Sequence, residues 1–490
     1  MTGASGGARP VLLRLAQPDL GMLIEAVLDA PDPFEGGSFA LFGWRETGAS
    51  TIVTLARLIL PEADEIGAGD GRVSINHPYL RRVAQAAQAT RLAVGFIHSH
   101  PRGAAPKASE TDDDMDSYLA NYLADFCPDR PFVSLILSRV EQEIAVGGRV
   151  QVDGEWRTVA RVAAERRPDV VAWPGGDRPA LPPPPPESVA RMTSAFGLEA
   201  YQRLARSTVA LIGAGGTGSA AIPILARAGV GRLIVIDGDH VTVSNLERLH
   251  GSRPSDVDAA TPKALVAKRT LAEYAPHCEV EAVVGRLPQR DIVDLVAGAD
   301  LLMGCTDQHS SRIAVADIAA RYLVPAIDCG GLIEGADGVV TGQLVQIVRF
   351  LAADPCPVCR GMISPLRVAQ ELLPAEARLD PARQVALATA AGVRHDPILS
   401  AVPQIDTVGY ITTTAGTLAA GFAIGWLTGR FDPKFERLQL DLVSPCLGAV
   451  DRPQAAKPDC PCAASRGHAD QNAAAPPIAV PAHWPAVRFV

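Results

Sequence analysis

The stretch richest in chemistry is Gly95-Phe96-Ile97-His98-Ser99-His100-Pro101, followed at short range by Ser109-Glu110-Thr111-Asp112. Residues two apart on an extended strand share a face, so His98 and His100 can aim at one metal ion. A carboxylate such as Asp112 completes a three-ligand set that leaves the fourth position open, as in catalytic zinc sites. Zinc held this way lowers the pKa of its water toward about 7. A nearby carboxylate must then carry the proton to a leaving amine. Ser109 with Glu110, Asp112, Asp113 and Asp114 also reads as a helix N-cap with acids in the first turn, and both readings can hold together.

A second constellation starts at Val209-Ala210-Leu211-Ile212, a buried-strand run, and continues through Gly213-Ala214-Gly215-Gly216-Thr217-Gly218 into a helix. Glycines there let the backbone approach phosphates at the helix N-terminus. Ile234-Val235-Ile236-Asp237 is a second strand, and its acid lies 19 residues after Gly218, where a ribose-binding carboxylate belongs. To this point a nicotinamide or flavin enzyme fits as well as an ATP enzyme. The next residues separate them: Asp237-Gly238-Asp239, Val243-Ser244-Asn245-Leu246-Glu247-Arg248, Thr261-Pro262-Lys263 and Cys305-Thr306-Asp307. Hydride transfer has no use for such cations, whereas ATP cleavage needs Arg and Lys against the triphosphate and an Asp for magnesium.

Two thiol pairs, Cys356-Pro357-Val358-Cys359 and Cys460-Pro461-Cys462, together make a closed four-thiolate zinc site. The alternative is a redox pair in a flexible tail. Such a zinc site would pin the tail and contribute to folding.

These residues need two scaffolds, and 490 residues with 48% hydrophobic content suffice for two to four domains. Pro182 to Pro186 form a stiff polyproline spacer. The expected division is a domain over 8–165, a Pro-rich linker over 166–188, a domain over 189–450, and a tail with a Cys pair over 451–490. The first domain reads as a mixed sheet, with strands over Ser38–Trp44, Ser50–Leu60 and Leu92–Ile97 and helices over Leu20–Leu28 and Asn76–Ala89. The second alternates strand and helix runs, as βαβ units on a mainly parallel sheet do. A net charge of -9 argues against a dedicated nucleic-acid binder. Met1 to Pro10 are small and polar, unlike a secretory leader. No run reaches the ~18 apolar residues of a membrane span, and the nearest, Thr412 to Leu427, reads as a buried helix. The expected location is the cytosol, where clustered cysteines read as metal ligands before disulfides.

The His98–Asp112 run resembles the JAB/JAMM zinc metalloproteases, whose signature is an upstream Glu, then His-x-His, then Ser-x-x-Asp. The resemblance implies a cytidine-deaminase-like fold. It also implies His98, His100 and Asp112 as zinc ligands, Ser109 as the hydroxyl serving the tetrahedral intermediate, and Glu35 as the upstream acid ahead of Glu25 and Glu46. The second constellation resembles the ThiF/MoeB/ubiquitin-activating adenylyltransferases, with a Rossmann-like fold. By that resemblance Gly213, Gly215, Gly216 and Gly218 cradle ATP and Asp237 binds the ribose. Asn245, Arg248 and Lys263 contact the phosphates, Asp307 holds Mg²⁺, and Arg191 reaches across a homodimer. Cys356, Cys359, Cys460 and Cys462 match the family's structural zinc, although the second pair is Cys-x-Cys. Thioester-forming members carry a further Cys; Cys446 and Cys329 are the candidates, and a small buried apolar role is the alternative for each.

The pairing resembles bacterial ubiquitin-like conjugation systems, including those linked to antiphage defence. It implies a partner that is a ubiquitin-like protein or sulfur carrier ending in Gly, and, for conjugation, a ubiquitin-conjugating-type protein. One half would adenylate that C-terminus and the other would hydrolyse an amide there. Sulfur transfer through a thiocarboxylate, and a first half that binds the carrier without cutting it, are the alternatives.

Overall fold

The computed structural model describes residues 9–29, 35–69, 72–180, 184–336, 338–378, 386, 389–390, 407–431, 434–443, 446–450, 455–471 and 476–490. The chain forms two compact units. One comprises Met1–Leu181, Ala320–Leu323 and Ala464–Ala475; the other comprises Pro182–Ala319, Val324–Ala463 and Pro476–Val490.

The strands of the first unit are β1 (Val11–Leu15), β2 (Gly37–Glu46), β3 (Thr51–Ile59), β4 (Ile66–Gly69), β5 (Arg72–Ile75), β6 (Ala93–Ser99), β7 (Phe132–Val140), β8 (Glu143–Val152), β9 (Glu155–Ala164) and β10 (Val170–Ala172). Its main sheet runs β10-β8-β7-β6-β2-β3-β1-β9. The sheet is mixed, as expected, with β6–β7, β1–β3 and β1–β9 parallel. It is also closed, which the sequence reading did not anticipate, because β9 returns to pair with β8. The return is made by Asp153 and Gly154, at φ 51° and 81°, the left-handed pair of a tight two-residue hairpin. Strands near the site are buried on both faces. Phe39, Leu41, Val94 and Phe96 enter one core, while Ala40, Phe42, Ala93 and Ile97 enter another. That is why β2 and β6 read as continuous apolar runs.

Two segments differ from expectation. The linker assigned to 166–188 contributes β10, parallel to β8. Arg167 and Asp169 form a two-pronged ion pair that turns the chain, and the β-branched Val170-Val171 then suits a strand. The tail assigned to 451–490 is divided between both units. Ala469 bridges to Trp44 in the first, and Arg488–Phe489 forms the last strand of the second.

The strands of the second unit are β11 (Thr208–Ile212), β12 (Arg232–Ile236), β13 (Glu279–Val284), β14 (Leu301–Gly304), β15 (Ala326–Ala336), β16 (Val339–Phe350), β17 (Arg437–Asp441), β18 (Cys446–Val450) and β19 (Arg488–Phe489). They are ordered β18-β17-β16-β15-β14-β11-β12-β13-β19. Only β13-β12-β11-β14-β15 is parallel; the remaining pairings are antiparallel. Strand order reverses at β11, so a crevice opens between the carboxyl ends of β11 and β14, the place where doubly wound sheets bind ligands. The near-span of the sequence is the core helix Gly409–Thr428. Its Gly416 lies so close to helix Gly216–Ala228 that a Cβ would stand 2.3 Å from the Thr217 carbonyl oxygen. No helix among the described residues is long and apolar enough to cross a membrane.

Candidate functional site

The crevice holds a cavity of about 520 Å³. Gly213, Gly215, Gly216, Asp237, Asn245, Arg248, Lys263 and Asp307 all line it, so the structure brings together sequence positions nearly a hundred residues apart. Gly213 has φ +101°, a left-handed conformation that favours glycine. Gly218 lies behind the loop, where a Cβ would stand 1.9 Å from the Gly213 carbonyl oxygen. Gly218→Ala therefore forces the loop apart. It should lower stability by about 1–3 kcal/mol in urea denaturation and weaken ATP binding in calorimetry.

Asp237 ends β12. Its carboxylate accepts from the Ala214 N–H at 2.8 Å and from the Asp239 N–H at 2.8 Å, tying the acid to the glycine loop. Burial raises its pKa, with Lys263 opposing. Lys263 opens helix Lys263–Tyr274, and its Nζ lies 3.2 Å from Asp239 Oδ2. Arg286 donates to the other oxygen of Asp239 at 2.6 Å. Burial would raise the Asp239 carboxyl, but Lys263 and Arg286 pull it below its ordinary value. Arg286 escaped the sequence reading because it stands two residues past a strand, with no motif around it. Asn245 caps its own turn by accepting from the Thr242 N–H at 3.1 Å, and Arg248 donates to the Ser244 carbonyl at 2.7 Å. Asp307 is exposed at the rim. Arg191 is exposed on helix Ala190–Phe196 and is not among the residues lining the cavity.

In the first unit, β6 delivers His98, 1% exposed, and His100 follows it. Helix Glu110–Ala124 delivers Asp112, held by a reciprocal cap with Ser109. His98 Nε2 lies 3.2 Å from Asp112 Oδ1, and His100 Nε2 lies 3.5 Å from Asp112 Oδ2. Ligands at 2.0–2.1 Å from a tetrahedral zinc stand about 3.3 Å apart, so these spacings fit the ion. His98 is buried with its Nε2 facing only the Asp112 carboxylate, and its Nδ1 has no hydrogen-bond partner among the described residues. Burial would raise the Asp112 carboxyl, but His100, His98 and Ser109 hold it far below its ordinary value. The Ser109 hydroxyl donates to Asp112 Oδ2 at 2.7 Å, so in this structure it orients that carboxylate.

Glu35 is placed by its neighbour. Gly36 N–H donates to Ser99 Oγ at 2.9 Å, and the Gly36 carbonyl accepts from Ser99 N–H at 3.0 Å. A Cβ on Gly36 would stand 2.4 Å from the Val27 carbonyl oxygen, in the wide helical turn Ile24–Leu28. This anchoring fixes Glu35 beside the histidines. Burial raises its carboxyl, and His98 and His100 oppose the shift.

Cys356, Cys359, Cys460 and Cys462 converge, with their sulfurs within 4.8 Å of one another. The Cys356–Cys460 and Cys359–Cys462 separations are 3.6 and 3.8 Å. Thiolates at 2.3 Å from a tetrahedral zinc stand about 3.8 Å apart, whereas a disulfide would need about 2.05 Å. The shortened Cys-x-Cys spacing thus still reaches the cluster. Cys329 is buried on β15, with its sulfur 3.6 Å from that of Cys305; this contact and burial push its thiol well above the ordinary value. The side chain of Cys446 falls outside the described residues.

Molybdopterin-synthase adenylyltransferase of Salmonella typhimurium is 36% identical over 166 residues, covering 34% of this chain and 62% of that protein. SAMP-activating enzyme E1 of Haloferax volcanii is 34% identical over 165 residues, 33% of this chain and 56% of that one. Adenylyltransferase and sulfurtransferase UBA4 of Candida glabrata is 31% identical over 169 residues, 34% and 37% respectively. The chain thus spans between 37% and 62% of the length of these relatives. The solved structure of the microcin C7 biosynthetic enzyme MccB with N-formylated MccA overlays with TM-score 0.44 at 17% identity, over 56% of this chain and 75% of that one. The sequence model of the ThiF family matches residues 188–462, more than half of the chain and all of the cavity just described, and the chain belongs to that family.

Proposed function

We propose that the second unit adenylates the C-terminal carboxylate of a ubiquitin-like or sulfur-carrier protein, and that the first hydrolyses the peptide or isopeptide bond at that same terminus. The observation that carries the first half is the cavity: a glycine loop, an acid just past the second strand, and Arg248 and Lys263 in its lining, in a family whose relatives are named adenylyltransferases and an activating enzyme. In this reading Asp237 takes the ribose, and Asn245, Arg248 and Lys263 take the phosphates. Asp307 holds the magnesium that neutralises the triphosphate. A carboxylate oxygen of the carrier bonds to the α-phosphorus, the bond to the β-phosphate bridge breaks, and pyrophosphate leaves. Arg248 and Lys263 stabilise charge on the departing group. Arg191, exposed and away from its own cavity, serves the cavity of a second copy in a homodimer.

Support for the hydrolase half is the fit of His98, His100 and Asp112 to zinc, with Glu35 beside them. Bound zinc supplies a Lewis acid that acidifies water near neutrality. Glu35 holds the proton released and delivers it to the leaving nitrogen. The shared substrate terminus explains why both activities occupy one chain. Hydrolysis would trim a precursor or release a finished conjugate, and the adenylate would pass to a conjugating protein. Sulfur transfer is the second reading for the activating half, favoured by the buried, high-pKa Cys329, which suits a thioester poorly.

The test incubates the full-length Glu35→Ala chain with a candidate carrier ending in glycine, ATP and magnesium, and weighs the carrier by intact mass spectrometry. A carrier–AMP adduct that Asp307→Ala abolishes is the expected result. Absence of any adduct across several such carriers would sink the activating half.

A further inference from the structure

The turn that presents Asp307 is held from a distance. β14 ends at Gly304, and helix His309–Tyr322 begins just past Asp307. The first N–H groups of a helix have no partner within it, and Gln308 is not one of the short polar residues that cap well. The partner is Glu371, only 7% exposed. Its Oε1 accepts from His309 N–H at 2.9 Å, and its Oε2 accepts from Ser310 N–H at 2.8 Å and from Ser310 Oγ at 2.8 Å. An anion at this end of a helix is favoured by the helix dipole.

Two further residues of the same short segment grip the turn. Arg367 pairs through Nε with Glu371 Oε1 at 3.2 Å, and its Nη2 donates to the Asp307 carbonyl at 3.2 Å. Ser364 N–H donates to His309 Nδ1 at 3.0 Å. Arg367 and His309 both line the cavity. The Asp307 carbonyl and the His309 and Ser310 N–H groups are thus all tied to residues 364–371.

We infer that Glu371 is a positioning residue of the activating site: with Arg367 it fixes the Asp307–Ser310 turn so that the Asp307 carboxylate meets magnesium in the cavity. The inference rests on the reading of Asp307 as the magnesium ligand. Glu371 is not among the residues lining the cavity. Its removal leaves the part-buried His309 N–H, the buried Ser310 N–H and a guanidinium without this anion, and the turn relaxes. A shift of about 1 Å in such a ligand is worth up to about a hundredfold.

The experiment titrates magnesium into the full-length chain with ATP and reads ATP binding by calorimetry, alongside the thermal midpoint. Glu371→Gln keeps the shape but replaces one acceptor by a donor. It should raise the magnesium concentration for half-maximal binding at least about tenfold, leaving metal-free ATP binding unchanged. Arg367→Lys keeps the charge but loses the fork, and should shift the same midpoint in the same direction; it carries the test if Glu371→Gln does not fold. Asp307→Ala separates the layers. If Asp307→Ala moves the midpoint and the clamp variants do not, the positioning role is wrong. If Asp307→Ala does not move it either, the reading of Asp307 falls, and the inference with it.

Discussion

Lys263→Ala should lower carrier adenylation by about 10²–10³-fold while leaving the chain as stable as before, or slightly more so. The reasoning starts from where the lysine stands. It is the first residue of helix Lys263–Tyr274, so its ammonium sits at the positive end of the helix dipole, which disfavours cations by a few tenths of a kcal/mol or more. Its side chain is only 13% exposed, which adds a desolvation penalty. Asp239 offsets both, yet Asp239 keeps Arg286 when Lys263 is gone. A cation set at a helix N-terminus and largely desolvated, with an acid supplied to offset the cost, is the pattern of a functional residue that trades stability for activity. Single-turnover mass spectrometry and a melting curve on the same sample check both halves. A parallel loss of stability and activity would make Lys263 structural.

The other large effect concerns the histidine pair. Asp112→Ala should remove one zinc ion, taking bound metal from about two per chain to about one, and abolish hydrolysis of a carrier fusion. On the proposed reading, the ion that remains would be held by the four cysteines. Asp112 is the residue to change because both histidines face its two oxygens. Without it two imidazoles meet with no anion between them. Glu35→Gln, by contrast, should keep both ions and lose only turnover, because Glu35 stands beside the site without completing it. Metal analysis of the two variants separates a hydrolase from a unit that merely binds its carrier: a Glu35→Gln chain that still cuts at the wild-type rate excludes the proton-transfer role.

What the sequence disclosed was whatever is local. The glycine loop, the strand before it and the His-x-His strand each combine a short spacing with a period that reports one element, and the structure places them accordingly. What it hid is whatever depends on returns of the chain. Closure of the first sheet requires β9 to find both β8 and β1, and no residue of β9 announces its second partner. Arg286 and Glu371 look like ordinary charged residues near element ends, and only long-range contact gives them a task. The strand within the supposed linker was masked by the prolines that follow it, since composition over a window averages Val170-Val171 with Pro182 to Pro186.

The described segment 464–471 bears on the order in which the molecule is made. It is packed into the first unit: Thr54 Oγ1 donates to the Gly467 carbonyl at 2.6 Å, Arg45 pairs with Asp470 at 3.0 Å and Arg466 with Asp19 at 2.9 Å. Gly43 lies so near that a Cβ would stand 2.4 Å from the Gly467 carbonyl oxygen. A ribosome adding about 5–20 residues per second finishes β10 some 15–60 seconds before this segment emerges. Throughout that interval Arg45 and Asp19, both 2% exposed in the finished protein, lack these partners. The first unit, although synthesised first, is therefore completed only when the chain is nearly finished.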